Sequence, residues 1–374
     1  MDRFFATCAR GLEPILAKEL RAIGASAVDS GRGGVSFEGD RTTLYRANLE
    51  LRTAVRVLKP ILNADVFSPD ELYDAVRSID WSQYMTTDQT LAVDCNAKNS
   101  AITHSQYASR RVKDAICDQF RDINGLRPSV NVESPSIGIN LHISKDKAIL
   151  SLDSSWDSLH KRGYRPVQSR APLNEALAAG LLMHLGYDGT EALVDPMCGS
   201  GTFAIEAAWI ATNRPPGLTR RWFGFYGWSD FDKAEWSAMR EDARKRVLPT
   251  LPAPILGSDI RTDAIEFALG NAKAAGVGHL LAFERKDLSK ARPPADVKPG
   301  LVICNPPYGE RIGDEAELEF LYGSLGEVIA GCWPGWRLAA FTANDFLARQ
   351  IRLPVRRRTP FFNGSLDCKL WEYK

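Results

Sequence analysis

The C-terminal half of this 374-residue chain predicts a doubly wound α/β fold, and the N-terminal half predicts a separate α+β region. Three observations carry this reading. From about Arg170 onward, strand-like and helix-like segments alternate, as βαβ units of a parallel sheet do. Two motifs, ALVDPMCGSGTFAIEAAWI (192–210) and LVICNPPYGERI (301–312), each end an apolar run abruptly in polar or turn residues. A buried parallel strand does the same where it delivers side chains to the carboxyl edge of its sheet. Finally, RRRTPFFNGSLDCKLWEY holds two strand-like runs around Asn363-Gly364, a common two-residue hairpin turn, which adds an antiparallel strand to the parallel sheet.

Taken in order, GLEPILAKELRAIG (11–24) reads as an amphipathic helix, with Leu12, Ile15, Leu16, Glu19 and Leu20 dividing into apolar and charged faces. HSQYASRRVKDAICDQF (104–120) is a second, with Val112, Ile116 and Phe120 on its apolar face and Arg110, Arg111 and Lys113 near its start. Neither 1–60 nor 61–160 contains a Gly-rich phosphate loop. SLHKRGYRPVQSRAP (158–172) is basic and turn-rich, and reads as the linker into the C-terminal half. A helix is predicted from Pro172 to about Leu185, with Leu173, Leu177 and Leu181 on one face and proline in its first turn. A strand at 191–195, a helix from Thr202, a strand within 253–260 and a helix opened by Thr262 and Asp263 and closed near Gly276 follow. Strands at 280–285 and 300–304, a helix around 316–330 and a strand at 336–342 complete the alternation.

Composition bounds the function. Hydrophobic residues make up 44% and charged residues 25%, an ordinary globular balance, and 47 Lys plus Arg nearly cancel 46 Asp plus Glu. Any nucleic-acid surface must therefore be local: Arg110, Arg111, Lys113; Lys161, Arg162, Arg165, Arg170; and Arg356, Arg357, Arg358 are the basic clusters. No apolar stretch has the length of a membrane span, and MDRFFATCARGLEP carries charge where a signal peptide needs its apolar centre. Seven scattered cysteines without a C-x-x-C pair argue against disulfides and zinc, and five scattered histidines add no metal pattern, so no metal is expected. These features predict a cytoplasmic chain.

The two motifs point to complementary chemistry. In Asp195-Pro196-Met197-Cys198-Gly199-Ser200-Gly201-Thr202, the glycines allow a sharp turn and close approach to a ligand, and the helix that follows aims free N–H groups at it. It is neither G-x-G-x-x-G nor a Walker loop. Asp195 would repel a pyrophosphate but suits the cationic methionine part of S-adenosylmethionine. Asp259, ending the second strand, can accept hydrogen bonds from both ribose hydroxyls, or cap the next helix unless Thr262 or Asp263 does so. Asp287 in ERKDL can meet an adenine amine, or can be a surface loop acid. In Asn305-Pro306-Pro307-Tyr308, two prolines fix an extended turn in which the Asn oxygen and the Pro306 carbonyl can converge on an exocyclic amine. Tyr308 offers a stacking face. The methyl sulfonium is already activated, so proximity and orientation suffice. The two motifs together predict methyl transfer to a nucleic-acid base. Trp222, Phe223, Phe225, Tyr226 and Trp228 form an aromatic knot between two helices, read as core packing or a lid before base stacking.

Across almost its whole length the chain resembles the THUMP-domain RNA guanine-N2 methyltransferases, the RlmL-like group often labelled adenine-specific DNA methylases. FATCARGLEPILAKEL is similar to that family's N-terminal ferredoxin-like segment (1–60), and HSQYASRRVKDAI and ILSLDSS to its THUMP domain (61–157). LHKRGYRP resembles its linker (158–171); APLNEALAAGLL, DPMCGSGT, GSDI, NPPYGERI and NGSLDCKLWEY resemble its Class I Rossmann-like methyltransferase domain (172–374), a seven-stranded sheet with a terminal antiparallel hairpin. The resemblance implies that Asn174, Glu175, Asp195, Pro196, Met197, Gly199, Ser200, Gly201, Thr202, Asp259, Ile260, Asp287, Leu288 and Asn305 contact S-adenosylmethionine. It implies that Asn305 to Tyr308 hold guanine, and that Arg110, Arg111, Lys113, Lys161, Arg162 and Arg165 contact structured RNA, ribosomal before transfer RNA. Larger bacterial relatives carry a second methyltransferase domain, so the end at Lys374 predicts that this second activity is missing. Asn-Pro-Pro-Tyr alone does not separate guanine N2 from adenine N6, and a non-catalytic RNA-binding assembly factor is the alternative of a different class.

Overall fold

A computed structural model describes residues 1–165, 173–308 and 315–374. Arg170 and the end of the linker, Pro172 with the start of the last region, and residues 309–312 of the second motif lie outside the described residues. The N-terminal half comprises β1 (Asp2–Cys8), α1 (Glu13–Ala22), β2 (Ser26–Gly31), β3 (Gly34–Gly39), α2 (Arg41–Glu50), β4 (Ala54–Asp65), α3 (Pro69–Arg77), β5 (Thr90–Lys98), α4 (Ser105–Asn124), β6 (Ser129–Val130), β7 (Ile137–Ser144) and β8 (Lys147–Asp153). The C-terminal half comprises α5 (Glu175–His184), β9 (Leu193–Asp195), α6 (Thr202–Ala211), α7 (Lys233–Lys245), β10 (Ile255–Asp259), α8 (Thr262–Ala274), β11 (Leu281–Arg285) and β12 (Leu301–Cys304). It ends with α9 (Glu315–Cys332), β13 (Arg337–Thr342), α10 (Asp345–Gln350), β14 (Val355–Asn363) and β15 (Leu366–Tyr373). Among the described residues no helix is long and apolar enough to cross a membrane.

The first half is one eight-stranded sheet, in the order β2-β3-β1-β4-β8-β7-β5-β6. Its unity rests on β4, whose first part pairs with β1 through Ala54 to Leu58 and whose second part pairs with β8 through Leu58 to Asp65. The predicted boundary between 60 and 61 therefore falls inside a strand. Leu12, Leu16 and Leu20 are fully buried, as the helical periodicity of the first segment requires. Glu19, read from sequence as part of the charged face, is buried too. Its carboxylate accepts from the backbone N–H of Arg52 at 2.7 Å and of Thr53 at 3.1 Å, and from the Thr53 hydroxyl. Burial raises its pKa, and those hydrogen bonds oppose the shift.

The second half is the doubly wound sheet that the alternation predicts, ordered β11-β10-β9-β12-β13-β15-β14. Strands β9 to β13 pair in parallel, and β15 joins β13 antiparallel, with β14 at the edge. The hairpin turn differs from the expectation by one residue. Asn363 pairs with Leu366, so Gly364 and Ser365 form the turn, and Gly364 takes φ +65°, a left-handed value open to glycine at the first turn position. Helix α5 starts at Glu175, capped by Asn174, rather than at Pro172.

The aromatic knot lies between α6 and α7 and bolts the two halves together. Phe223 and Phe225 are fully buried, and Phe225 lies 4.8 Å from Tyr45 of α2, ring to ring. Phe225 N–H donates to Ser154 O at 3.1 Å, and Asp232 N–H donates to the Tyr45 hydroxyl at 2.8 Å. At Gly227 the chains approach so closely that an added Cβ would stand 1.9 Å from the Ser136 carbonyl oxygen. Gly227→Ala must separate these backbones, and is expected to cost about 1–3 kcal/mol, the scale of overpacking. Urea unfolding measures it; an unchanged midpoint would show that the insert is not clamped there.

Candidate functional site

Register fixes where the parallel strands deliver their last side chains. Asp195 of β9 stands opposite Gly257 of β10, so Asp259 lies two residues further along. Val194 stands opposite Val302 of β12, which puts Asn305 two residues past the level of Asp195. Asp287 follows β11, whose Arg285 pairs with Asp259. The carboxyl ends of four strands thus bring the predicted residues Asp195, Asp259, Asp287 and Asn305 to one edge of the sheet.

The turn between β9 and α6 uses its glycines in different ways. Gly201 is the N-cap of α6 at φ +80°, and a Cβ there would meet Ala268 and Phe283 at 3.1 Å. Gly199 has φ +50° and only open space where a Cβ would be, so the backbone faces the cleft bare. The loop is tied down from behind. Cys198 N–H donates to Ser258 O at 2.9 Å, Gly199 N–H donates to Asp259 Oδ2 at 3.0 Å, and Asn271 of α8 donates to Ser200 O at 3.0 Å. Asn271 escaped the sequence reading because nothing in its surroundings marks an amide at a helical position as a loop anchor. Asp259 Oδ1 accepts from Arg261 N–H at 3.0 Å, while Arg261 itself, and neither Asp259, Thr262 nor Asp263, occupies the N-cap of α8.

Two carboxylates stand close together at this sheet edge. Asp195 is 2% exposed, and its Oδ1 accepts from Met197 N–H at 3.1 Å. Burial, and secondarily the Asp259 carboxylate, push its pKa well above the carboxylate range. Two neighbouring acids of which one is buried suit a cation. Ile260, next to Asp259, exposes 58% of its surface, enough to give a flat ring an apolar platform. Asp287 is exposed; hydrogen bonds from the Ser289 hydroxyl and N–H hold its pKa below the usual range. Leu288 and Pro196 are buried, and Met197 packs on the core, so any ligand contact from these three runs through what little of them faces the cleft. Asn174 accepts from Leu177 N–H at 3.0 Å as a helix cap. Glu175 is buried and lies 3.3 Å from Arg165, which also donates to Thr202 at the start of α6 and to Leu173 O.

In the second motif, Asn305 is half-buried, but its Oδ1 is fully buried and has no hydrogen-bond partner among the described residues. The Pro307 carbonyl accepts from Tyr322 of α9 at 3.3 Å, and the same hydroxyl lies 3.0 Å from Thr342 of β13. Tyr308 packs against the core, its hydroxyl 3.9 Å from Cys368 Sγ on β15. Burial foremost, then Cys368, pushes its pKa up to about 12. Tyr308 is thus a wall fixed at its rim rather than a free stacking plate.

The basic residues divide. Arg110 is exposed, while Arg111 reaches Asp70 at 2.7 Å and covers the Tyr73 ring at 4.4 Å. Lys113 pairs with Asp114 at 2.5 Å, and exposed Lys161 lies 3.6 Å from Asp157. The sequence reading placed Arg162 and Arg165 on an RNA surface, and the structure corrects this. Arg162 is 1% exposed, donates to Leu159 O and Arg52 O, and lies 3.7 Å from Glu206; Arg165 turns inward as described.

Comparison with known proteins follows the same division. Residues 162–372 match the family described as RMKL-like, methyltransferase domain; residues 3–58 match the RlmL ferredoxin-like domain and residues 68–153 the THUMP domain. A Syntrophotalea carbinolica protein named ribosomal RNA large subunit methyltransferase K/L is 46% identical over 99% of this chain and 53% of its own length. The chain spans about half the length of the curated relatives of that name. A Synechocystis protein provisionally named an RNA methyltransferase is 42% identical over 99% of this chain and 96% of its own. Among solved structures, a provisionally assigned methyltransferase complexed with SAH superposes with TM-score 0.90 at 28% identity, covering 100% of this chain and 97% of the other.

The state of Asp195 yields a pH test. Its folded pKa lies above the unfolded one, so its contribution to stability is full below the unfolded carboxyl pKa and is lost as pH rises through the folded value. Asp195→Asn keeps an acceptor for Met197 N–H and removes the charge. The ligand-free variant is expected to match the parent in Tm near pH ~4 and to exceed it increasingly toward neutrality. Calorimetry across pH checks this; a constant offset would show that Asp195 ionises without penalty.

Proposed function

The chain belongs to the RMKL-like methyltransferase family, and from that premise we propose that it methylates the exocyclic N2 amine of a guanosine in structured RNA, with S-adenosylmethionine as donor. The substrate that its relatives' names favour is large-subunit ribosomal RNA, which we take to be 23S ribosomal RNA. The observation that carries the reading is the buried, unpartnered Oδ1 of Asn305 at the sheet edge shared with the glycine loop. An acceptor taken out of water without a donor costs roughly 1–3 kcal/mol, and an N–H from a base amine removes that cost.

The cleft fits the cofactor. The open side of Gly199 allows close approach, Asp259 presents a carboxylate to ribose hydroxyls, and Ile260 gives the adenine an apolar platform. Burial holds Asp195 toward its neutral form, and a cationic methionine end beside it would favour the ionised one. When bound, S-adenosylmethionine supplies a methyl group made electrophilic by its positive sulfur. The protein's residues orient. Asn305 accepts one N–H of the base amine, which leaves the nitrogen lone pair directed away from the side chain, and Tyr308 limits the position of the ring. Effective concentration then supplies the rate, with no strong base needed. Guanine N2 is favoured over adenine N6 because the THUMP half suits structured RNA; the same acceptor serves either amine.

Asn305→Ala is expected to lower turnover roughly 10²–10³-fold while cofactor and RNA still bind, the scale of losing one preorganised hydrogen-bonding group. Asp259→Ala should weaken cofactor binding by about 1.5–3 kcal/mol in calorimetry. Tritium transfer into ribosomal RNA, transfer RNA and DNA, followed by nucleoside mass spectrometry, decides the product. N2-methylguanosine in ribosomal RNA supports the reading, the same nucleoside in transfer RNA moves it to that substrate, and N6-methyladenine in DNA overturns it.

A further inference from the structure

The terminal hairpin carries a feature with no part in the cleft. Arg349 of α10 with Val355, Arg356, Arg357 and Arg358 of β14 and Trp371 of β15 line a hollow of about 530 Å³ on the edge of the methyltransferase sheet. Pairing of β14 with β15 slips between Val355 and Arg357, a bulge that leaves Arg356 as the extra residue. Bulges on edge strands re-aim side chains and discourage pairing with another strand. The four guanidinium groups meet little opposite charge. Arg357 pairs with Glu372 at 2.6 Å, and Arg358 lies over the Trp371 ring with 5.2 Å to its centroid. Arg349 and Arg356 are exposed, and no carboxylate among the described residues pairs with them or with Arg358. In a chain whose net charge is only +1, this is a concentrated local excess.

Its position relative to the base pocket follows from register. Arg358 stands opposite Trp371, Trp371 opposite Ala340 and Ala340 opposite Cys304, the residue before Asn305. Three strand spacings of ~4.8 Å place the arginine row roughly 14 Å from the pocket strand. That is too far to touch the reacting base. It spans a few nucleotides of RNA, within the reach of flanking phosphates. Arginine forks match phosphate oxygens, and the bulge at Arg356 lets neighbouring arginines of the edge strand line one hollow.

We propose that this hollow binds the phosphodiester backbone of the substrate RNA a few nucleotides from the target base, as a second contact on the methyltransferase half. The proposal rests on the RNA reading of the site. An acidic protein segment is the competing occupant, and the nearness of the hollow to the base pocket favours the phosphates of the same RNA.

The test compares the full chain with its Arg349→Gln/Arg356→Gln/Arg358→Gln variant, leaving the Arg357–Glu372 pair intact. The probe is a labelled RNA stem-loop with an unpaired guanosine, titrated over a range of salt. Loss of the three contacts should reduce the slope of log affinity against log salt by about two to three, close to 0.9 per phosphate. Affinity at low salt should fall at least several-fold, with S-adenosylmethionine binding unchanged and the fold retained. Arg356→Glu alone, at a residue that pairs with no carboxylate among the described residues, should weaken binding further than Arg356→Gln. An unchanged slope and affinity in the triple variant overturns the hollow while leaving the base-pocket reading intact. Failure of the parent chain to bind the RNA at all overturns that reading instead. Binding of polyglutamate lost in the variant, with RNA binding unaltered, assigns the hollow to an acidic protein partner and overturns the proposal.

Discussion

The buried charge at the junction of the two halves is the constraint from which the site's geometry follows. Glu206 of α6 is fully buried, accepts from the Tyr164 hydroxyl at 3.0 Å and lies 3.7 Å from Arg162. Arg162 in turn donates to Arg52 O, and Arg52 donates to Trp209 O at 3.0 Å. Glu19 closes the group by accepting from the backbone at Arg52 and Thr53. Burial raises the pKa of both glutamates, and the nearby arginines oppose that shift. Such an assembly adds little net stability over an apolar equivalent, but loss of one member leaves an uncompensated charge, at a cost of about 3–5 kcal/mol. It ties the linker to α6 through Arg162 and Tyr164. Because α6 begins at the glycine loop, and Arg165 reaches both Thr202 and Glu175, the same arrangement bears on the glycine loop at the sheet edge.

The N-terminal half transmits this constraint rather than absorbing it. With β4 running through both parts of one sheet, the ferredoxin-like and THUMP portions share a continuous hydrogen-bonded frame. The insert before α7 then locks that frame to the second half through buried aromatic rings and the close approach at Gly227. On the proposed reading, an RNA held by the first half meets the base pocket at a set distance. Discrimination between substrates then comes from the shape of the RNA that spans the distance, since Asn305 accepts from either amine.

The parts legible in the sequence are those governed by local periodicity and turn chemistry. Each parallel strand ends abruptly because it passes from a fully apolar environment to the sheet edge, so Asp195, Asp259 and Asn305 could be assigned to that edge from the sequence alone. The two amphipathic helices were legible from their spacing. Charge placement was not. Glu19, Arg162 and Arg165 look like surface residues because their partners, Thr53, Glu206 and Glu175, lie 34, 44 and 10 positions away, and no local pattern records a long-range pairing. Tyr322 and Thr342 were missed for a related reason, since Tyr322 bonds the Asn-Pro-Pro loop by a hydroxyl that Thr342 meets from β13, and that reach depends on the packing of α9 against β13. The hairpin turn moved by one residue because glycine tolerates either central position, and pairing of the flanking strands made the choice.

Asn305 shows what that support achieves. A loop with an unsatisfied buried oxygen ordinarily relaxes until the oxygen finds water or a donor. Here relaxation is resisted at each following residue. Pro306 and Pro307 restrict the backbone, Tyr322 ties the Pro307 carbonyl to Thr342, and Tyr308 is wedged into the core with its hydroxyl near Cys368. The acceptor therefore keeps its position before any base arrives. On the proposed reading, an amine that enters gains a hydrogen bond without the protein having to reorganise, and the cost of the unpaired acceptor becomes part of the affinity for the correctly oriented base.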